Sequence, residues 1–129
     1  TTRAILKYHH KTPCTVTTDV REVTHYHFVE DSRPPKQVAK TSVRKEEEAI
    51  ARFAAYLRHT HKPREKVLVV CHGNFIRSII PVLGGKNAQK SILIDINNTA
   101  VTVLDVWPSG EAVLRLANCT RHLLPRQVT

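Results

Sequence analysis

His72 is the residue whose surroundings most readily support chemistry. It follows an unbroken apolar run, Val67-Leu68-Val69-Val70-Cys71, and precedes Gly73-Asn74 and a stretch from Phe75 to Leu83 with helical apolar spacing. A short apolar run bounded by charged residues is the pattern of a strand buried on both faces, as in parallel sheets covered by helices. Ligand sites in open α/β sheets lie beyond the carboxyl ends of such strands. Gly73 lacks the Cβ that would hold a ligand away from the backbone. The helix start adds unpaired N–H groups and the positive end of a dipole, and a bound dianion favours an imidazolium beside it. Strand, His72-Gly73-Asn74 and helix therefore suit a phosphate pocket. The plainer alternative is that His72 closes a strand end and bonds a nearby carbonyl.

Other reactive residues group less well. Cys71 and His72 are adjacent, but neighbours on a strand point to opposite faces, so Cys71 reads as a core thiol. His25-x-His27 and His59-x-His61 have metal-compatible spacing without an evident third ligand. They read as exposed histidines, and no metal site or cofactor is expected. Cys14, Cys71 and Cys119 are odd in number and lack a C-x-x-C, which disfavours a disulfide framework or zinc site and favours a reducing compartment. Asn118-Cys119-Thr120 matches a glycosylation acceptor pattern that is idle inside a cell.

Several elements must position the strand-end histidine. Residues 1–12 read as the tail of a helix ending before Pro13, and Cys14 to Val20 as a short β-branched strand. Val23 to Val29 is ambiguous, and Glu30 to Lys40, with its Pro pair, reads as an exposed loop. Ile50, Phe53, Ala54 and Leu57 fall at i, i+3, i+4, i+7, which predicts an amphipathic helix over 43–59. Glu46, Glu47 and Glu48 would sit in its first turn, where acidic groups suit the dipole. Pro81 should bend or end the helix after His72, and Gly84-Gly85 should stop it. Ile92 to Ile96, Thr99 to Val106 and Glu111 to Ala117 read as strands, the last two joined by a turn at Pro108-Ser109-Gly110. Helix, strand, helix, hairpin is the order of a three-layer α/β domain.

The 129 residues, 41% hydrophobic, fit one domain, and folding at this size buries about two-thirds of the unfolded surface. No run approaches the roughly 20 apolar residues of a membrane span. The net charge is +9. Residues 1–45 carry nine basic and four acidic residues, and residues 46–129 carry eleven and seven, so the excess is spread out. A nucleic-acid binder more often concentrates its charge, with aromatics for stacking single strands; aromatics are only 5% here, so a basic nucleic-acid module is the less favoured class. The absence of Met and a start without a capping residue are read as a truncation or processing point.

VLVVCHGNFIR (67–77) resembles the second-histidine motif of the histidine phosphatase superfamily, the phosphoglycerate-mutase-like fold. Other segments agree in order: Thr2-Arg3-Ala4 is similar to the family's Arg-Ala motif, and Thr18-Asp19-Val20-Arg21-Glu22 to the segment supplying its acidic proton donor. Asn97-Asn98-Thr99-Ala100-Val101-Thr102-Val103-Leu104 resembles the Asn-Thr-x-Val strand, and ANCTRHLLP (117–125) the terminal Asn-x-Thr-x-His-Leu segment. The TTD–RE pattern, the Pro-Pro loop and CHGNFIR most resemble the branch that contains the mitochondrial serine/threonine protein phosphatase.

The resemblance implies a three-layer α/β/α sandwich with a mostly parallel sheet, residues 1–129 forming one N-terminally truncated domain whose first strand is missing. It implies a phosphatase acting on phosphoprotein or a small phosphorylated metabolite through a phosphohistidine, inside the cell, in mitochondria or cytoplasm, and compatible with a homo-oligomer. Arg3 would clamp the phosphate, His72 would hold a phosphoryl oxygen, and Glu22 would protonate the leaving oxygen and then deprotonate water. Gly73 and Asn74 would contact phosphate or substrate. The family's nucleophile lies in an Arg-His-Gly motif that these residues lack; Arg58-His59-Thr60 ends an amphipathic helix and does not replace it. Val23 stands where close relatives have Gly. These 129 residues alone are therefore expected to be inactive, and a non-catalytic phosphate-binding relative is the alternative.

Overall fold

The computed structural model describes residues 2–23, 40–84 and 95–128. Three helices, α1 (Thr2–Tyr8), α2 (Lys40–His59) and α3 (Gly73–Gly84), accompany an antiparallel pair, β1 (Val101–Val106) and β2 (Ala112–Cys119). Short 3-10 turns occupy Thr18–Val20 and Pro125–Gln127. The chain is thus mixed α/β. Among the described residues the sheet is this antiparallel pair, rather than the mostly parallel sheet expected.

The apolar stripe of α2 packs as its spacing predicts. Ile50, Phe53 and Ala54 are buried, with Leu57 half-buried against them. From α3, Phe75, Ile79 and Leu83 complete the same cluster. Phe53 and Phe75 meet edge-on with ring centroids 5.7 Å apart, a geometry that adds to simple area burial. Helix α2 starts at Lys40, earlier than predicted, so Glu46, Glu47 and Glu48 lie beyond its first turn. Glu48 instead pairs with Arg44 one turn back, at 2.9 Å. Pro81 does not end α3, which continues to Gly84. A proline forfeits one backbone bond, and here Ile79, Ile80, Pro81 and Leu83 are all buried, which holds the last turn in place.

The hairpin forms where expected. Gly110, at φ +92°, turns the chain, and Trp107 N–H donates to the Glu111 carbonyl at 2.9 Å. Leu104, Val106 and Ala112 turn toward the helical core. The register slips twice between Val101 and Leu104.

Two predicted strands are not formed. Val67–Cys71 joins no ladder among the described residues. It is covered on one face only: Val69 and Cys71 pack on the core, while Val67, Val70 and especially Leu68, at 69% exposure, face outward. Only Val69 and Cys71, two apart and so on one face, are covered, and the run is not buried on both sides. Cys14 to Val20 gives no strand either. The Thr17 hydroxyl accepts from Asp19 N–H at 3.2 Å, and a 3-10 turn follows. Local bonding of this kind competes with a ladder. The readings for Val23 to Val29 and for the Pro-Pro loop fall outside the described residues beyond Val23, up to Lys40; of Ile92 to Ile96, only Asp95 and Ile96 are described, and neither is in a strand.

Candidate functional site

Glu22 is held by its neighbours on either side. Val20 is half-buried against the core, Val23 is buried within it, and Asp19 accepts a hydrogen bond from Arg52 of α2 at 2.8 Å. That bond raises the pKa of the Arg52 guanidinium above its ordinary value, the Asp19 charge adding to it. The backbone between these anchors leaves Glu22 at the surface, where its carboxylate faces the end of the 67–71 segment.

His72 begins α3 from the other side. Its carbonyl accepts the Ile76 N–H at 3.0 Å, the first bond of the helix, so His72 stands at the end where the first-turn N–H groups lack intrahelical partners. Nδ1 of His72 lies 3.3 Å from Oε2 of Glu22, with the side chains 57% and 53% exposed. The imidazole is neither packed among aliphatic groups nor distant from the carboxylate. Its Nε2 has no protein partner among the described residues. A protonatable ring, a carboxylate and a helix start at one surface point can bind an oxyanion and move a proton.

The remaining predicted residues stand as follows. Gly73 and Asn74 open α3 directly after His72. Gly73 faces Ile96, whose Cβ would lie 3.4 Å from a Cβ at this position, an ordinary contact distance. The Asn74 carboxamide donates to the Val23 carbonyl at 3.5 Å, which links α3 to the segment carrying Glu22. Arg3 is not bonded to this pair. It lies exposed on α1, a helix with no buried residue, and makes no hydrogen bond or ion pair with His72 or Glu22.

The thiol beside His72 is not a nucleophile at neutral pH. Burial pushes Cys71 from 9.0 up to about 11, and the Glu22 carboxylate adds to the shift. This agrees with its place against the core. Among the described residues no cluster of three His, Cys, Asp or Glu side chains is arranged to hold a metal ion. His59 is exposed, whereas His61 is mostly covered: its Nδ1 is 3.4 Å from Glu65, and its ring stands edge-on to Tyr56 at 5.0 Å. His25 and His27 lie outside the described residues.

Two polar residues near the site were missed. Arg77 donates to Asp95 at 2.6 Å and to Asn74 Oδ1 at 3.4 Å. Their signal was available in part, since Asn74 and Arg77 are three apart on a helix and share a face. Asn118 and His122, given no role above, lace the hairpin: Asn118 Oδ1 accepts from Asn97 N–H at 2.8 Å, and His122 Nε2 lies 3.1 Å from the Thr99 carbonyl. Asn118 has φ +46° and Thr99 φ +58°.

Compared with protein families, the chain matches the histidine phosphatase superfamily (branch 1) over residues 2–119. No curated protein matches it.

Proposed function

The chain belongs to the histidine phosphatase superfamily (branch 1), and from that premise we propose that the His72–Glu22 centre serves the hydrolysis of phosphate monoesters. The observation that carries this reading is the 3.3 Å approach of His72 to Glu22 at the start of α3. Phosphoryl transfer needs little covalent help from a protein; it needs the reacting groups in line and the charge on the equatorial oxygens neutralised. Protonated His72 and the N–H groups at Gly73 and Asn74 supply donors for those oxygens. Glu22 gives its proton to the leaving oxygen as the bond from phosphorus to that oxygen breaks and a bond from phosphorus to a histidine nitrogen forms. In the second step Glu22 takes a proton from water, which attacks the phosphohistidine and releases inorganic phosphate. Arg3 is assigned to the phosphate by its position in the Arg-Ala segment, through the planar fork that suits such anions.

The accepting histidine belongs to an Arg-His-Gly segment that the 129 residues do not contain, so on this reading it comes from outside them. The fold proposed around this centre is a three-layer α/β/α sandwich. The substrates proposed are phosphoserine or phosphothreonine in protein, with small phosphorylated metabolites second, in mitochondria or cytoplasm. Support for this narrower claim is the likeness of TTD–RE and CHGNFIR to that branch. A mutase is the neighbouring possibility within the same superfamily.

The lack of Arg-His-Gly also favours a second reading, a domain that binds phosphorylated partners without turnover. Assay of a chromogenic aryl phosphate, with inorganic phosphate binding measured in parallel, separates the two. The phosphatase reading expects turnover in a protein that includes the accepting histidine, abolished by His72→Ala. Binding without turnover in that protein supports the second reading, and neither binding nor turnover removes both.

A further inference from the structure

Arg77 and Asp95 have no part in the mechanism above, yet they reach it through Asn74. Arg77 Nη2 lies 2.6 Å from Asp95 Oδ1 and Nη1 lies 3.4 Å from Asn74 Oδ1. We infer that Arg77, anchored by Asp95, is a positioning residue that fixes the Asn74 carboxamide and, through it, the Val23 backbone next to Glu22. The inference rests on the phosphate-site reading of His72 and Glu22.

A guanidinium can only donate hydrogen bonds, whereas a carboxamide presents an acceptor on one side and donors on the other. Beside Arg77, the Asn74 oxygen must face the guanidinium. Its Nδ2 is thereby turned to the Val23 carbonyl, at 3.5 Å. The opposite flip would set donor against donor at Arg77 and oxygen against oxygen at Val23. Arg77 thus selects one of two orientations, and that orientation ties α3 to the residue adjoining Glu22.

Asp95 is itself held in place. The next residue, Ile96, lies against Gly73, and Asn97 is bonded to Asn118 Oδ1 at 2.8 Å. The Arg77 side chain is 25% exposed and that of Asp95 90%, so the carboxylate caps an inward-lying guanidinium. The two bonds at Asn74 are near the long limit for hydrogen bonds, while the Arg77–Asp95 contact is short. The chain from Asp95 to Glu22 is therefore loose toward the site, where a bound anion would tighten it.

NMR on the full chain tests this with two readouts: the shift separation of the Asn74 Nδ2 protons, and the affinity for inorganic phosphate at fixed pH and ionic strength. Arg77→Gln should collapse the separation to that of a free carboxamide and weaken phosphate binding about 3- to 10-fold, the size of one hydrogen bond. Arg77→Lys should restore most of both. In an Asn74→Ala background, Arg77→Gln should weaken binding by less than about 2-fold, because non-additivity marks action through a shared partner. An unchanged separation in Arg77→Gln overturns the inference. So does a full additive loss in the double variant, which would mean that Arg77 touches the anion directly. Should Arg77→Gln not fold, Asp95→Asn, at an exposed position, reads the same Asn74 resonances and decides the matter. If the parent chain binds no phosphate, the phosphate-site reading falls, while the Asn74 resonances still decide whether Arg77 positions Asn74.

Discussion

The Glu22 carboxylate and the His72 imidazole approach to 3.3 Å with both side chains more than half exposed. Ion pairs so open to water contribute little to stability, commonly under about 1 kcal/mol. The pair is therefore not what holds the fold together. Glu22→Gln should leave stability within about 0.5 kcal/mol in denaturant titration. In a protein carrying the accepting histidine, it should slow hydrolysis by about 100- to 10,000-fold for an alkyl phosphate. An aryl phosphate, whose leaving oxygen needs little protonation, should suffer less. Equal losses on both substrates would remove the proton-donor role.

Cys71 lies beside this pair but faces the core. Its pKa, lifted from 9.0 to about 11 by burial first and the Glu22 charge second, leaves the reactive thiolate scarce at pH 8. Iodoacetamide should label exposed Cys14 in the native chain well before Cys71. The shift also carries a sign for stability. The folded state holds the Cys71 proton more tightly than the unfolded state, so this contribution is complete below about pH 9. It is lost as pH rises toward 11. Denaturation midpoints should fall across that window, and Cys71→Ala should flatten the fall. A midpoint trend identical in Cys71→Ala would assign it to other groups.

Helix periodicity made α2 and α3 legible, because Ile50, Phe53 and Ala54, and then Phe75, Ile79 and Leu83, repeat at the spacing that buries one face. The hairpin was legible from its Pro108-Ser109-Gly110 turn. Val67–Cys71 was misread because apolar content cannot distinguish burial on two faces from burial on one; Val69 and Cys71 face the core, and Leu68 does not. Within the site, the strand-end pattern pointed to His72, but nothing local to residues 17–23 marks Glu22 as its neighbour. That pairing depends on long-range anchors, Val23 in the core and Asp19 on Arg52, and entered only through family resemblance. Arg77 was lost because its partner, Asp95, is eighteen residues away.

Arg58 joins three parts of the core. Its Nη2 donates to the carbonyls of Val82 and Leu83 at 2.8 and 3.3 Å and reaches the Gly110 carbonyl at 3.5 Å. Cations at a helix C-terminus satisfy orphan carbonyls and complement the dipole. Arg58 thereby caps α3 from α2 and pins the hairpin turn, although its buried Nε finds no partner among the described residues. Arg58→Ala should cost about 2 kcal/mol, within the range for hydrogen bonds from a charged donor. Arg58→Lys should recover part of this, since one ammonium cannot span the same carbonyls. Chemical denaturation of the three proteins checks the order; a loss below about 0.5 kcal/mol in Arg58→Ala would mean water replaces the cap.

Arg64 occupies a backbone conformation that suits glycine. Its φ is +67°, in a turn where Glu65 N–H donates to the Lys62 carbonyl at 3.1 Å and Lys62 N–H donates back to the Glu65 carboxylate at 2.9 Å. Pro63 in the second position and positive φ in the third are the marks of a type II turn, which favours Gly or Asn where Arg64 stands. A left-handed non-glycine residue costs roughly 1–2 kcal/mol, of which glycine's greater unfolded-state freedom takes back about half. Arg64→Gly should therefore stabilise the chain by about 0.5–1 kcal/mol, seen as a higher denaturant midpoint at unchanged slope. Arg64→Ala is the decisive control. It removes the charge and keeps the strain, so its midpoint should stay near the parent's; a rise equal to that of Arg64→Gly would trace the gain to lost charge repulsion instead of backbone relief.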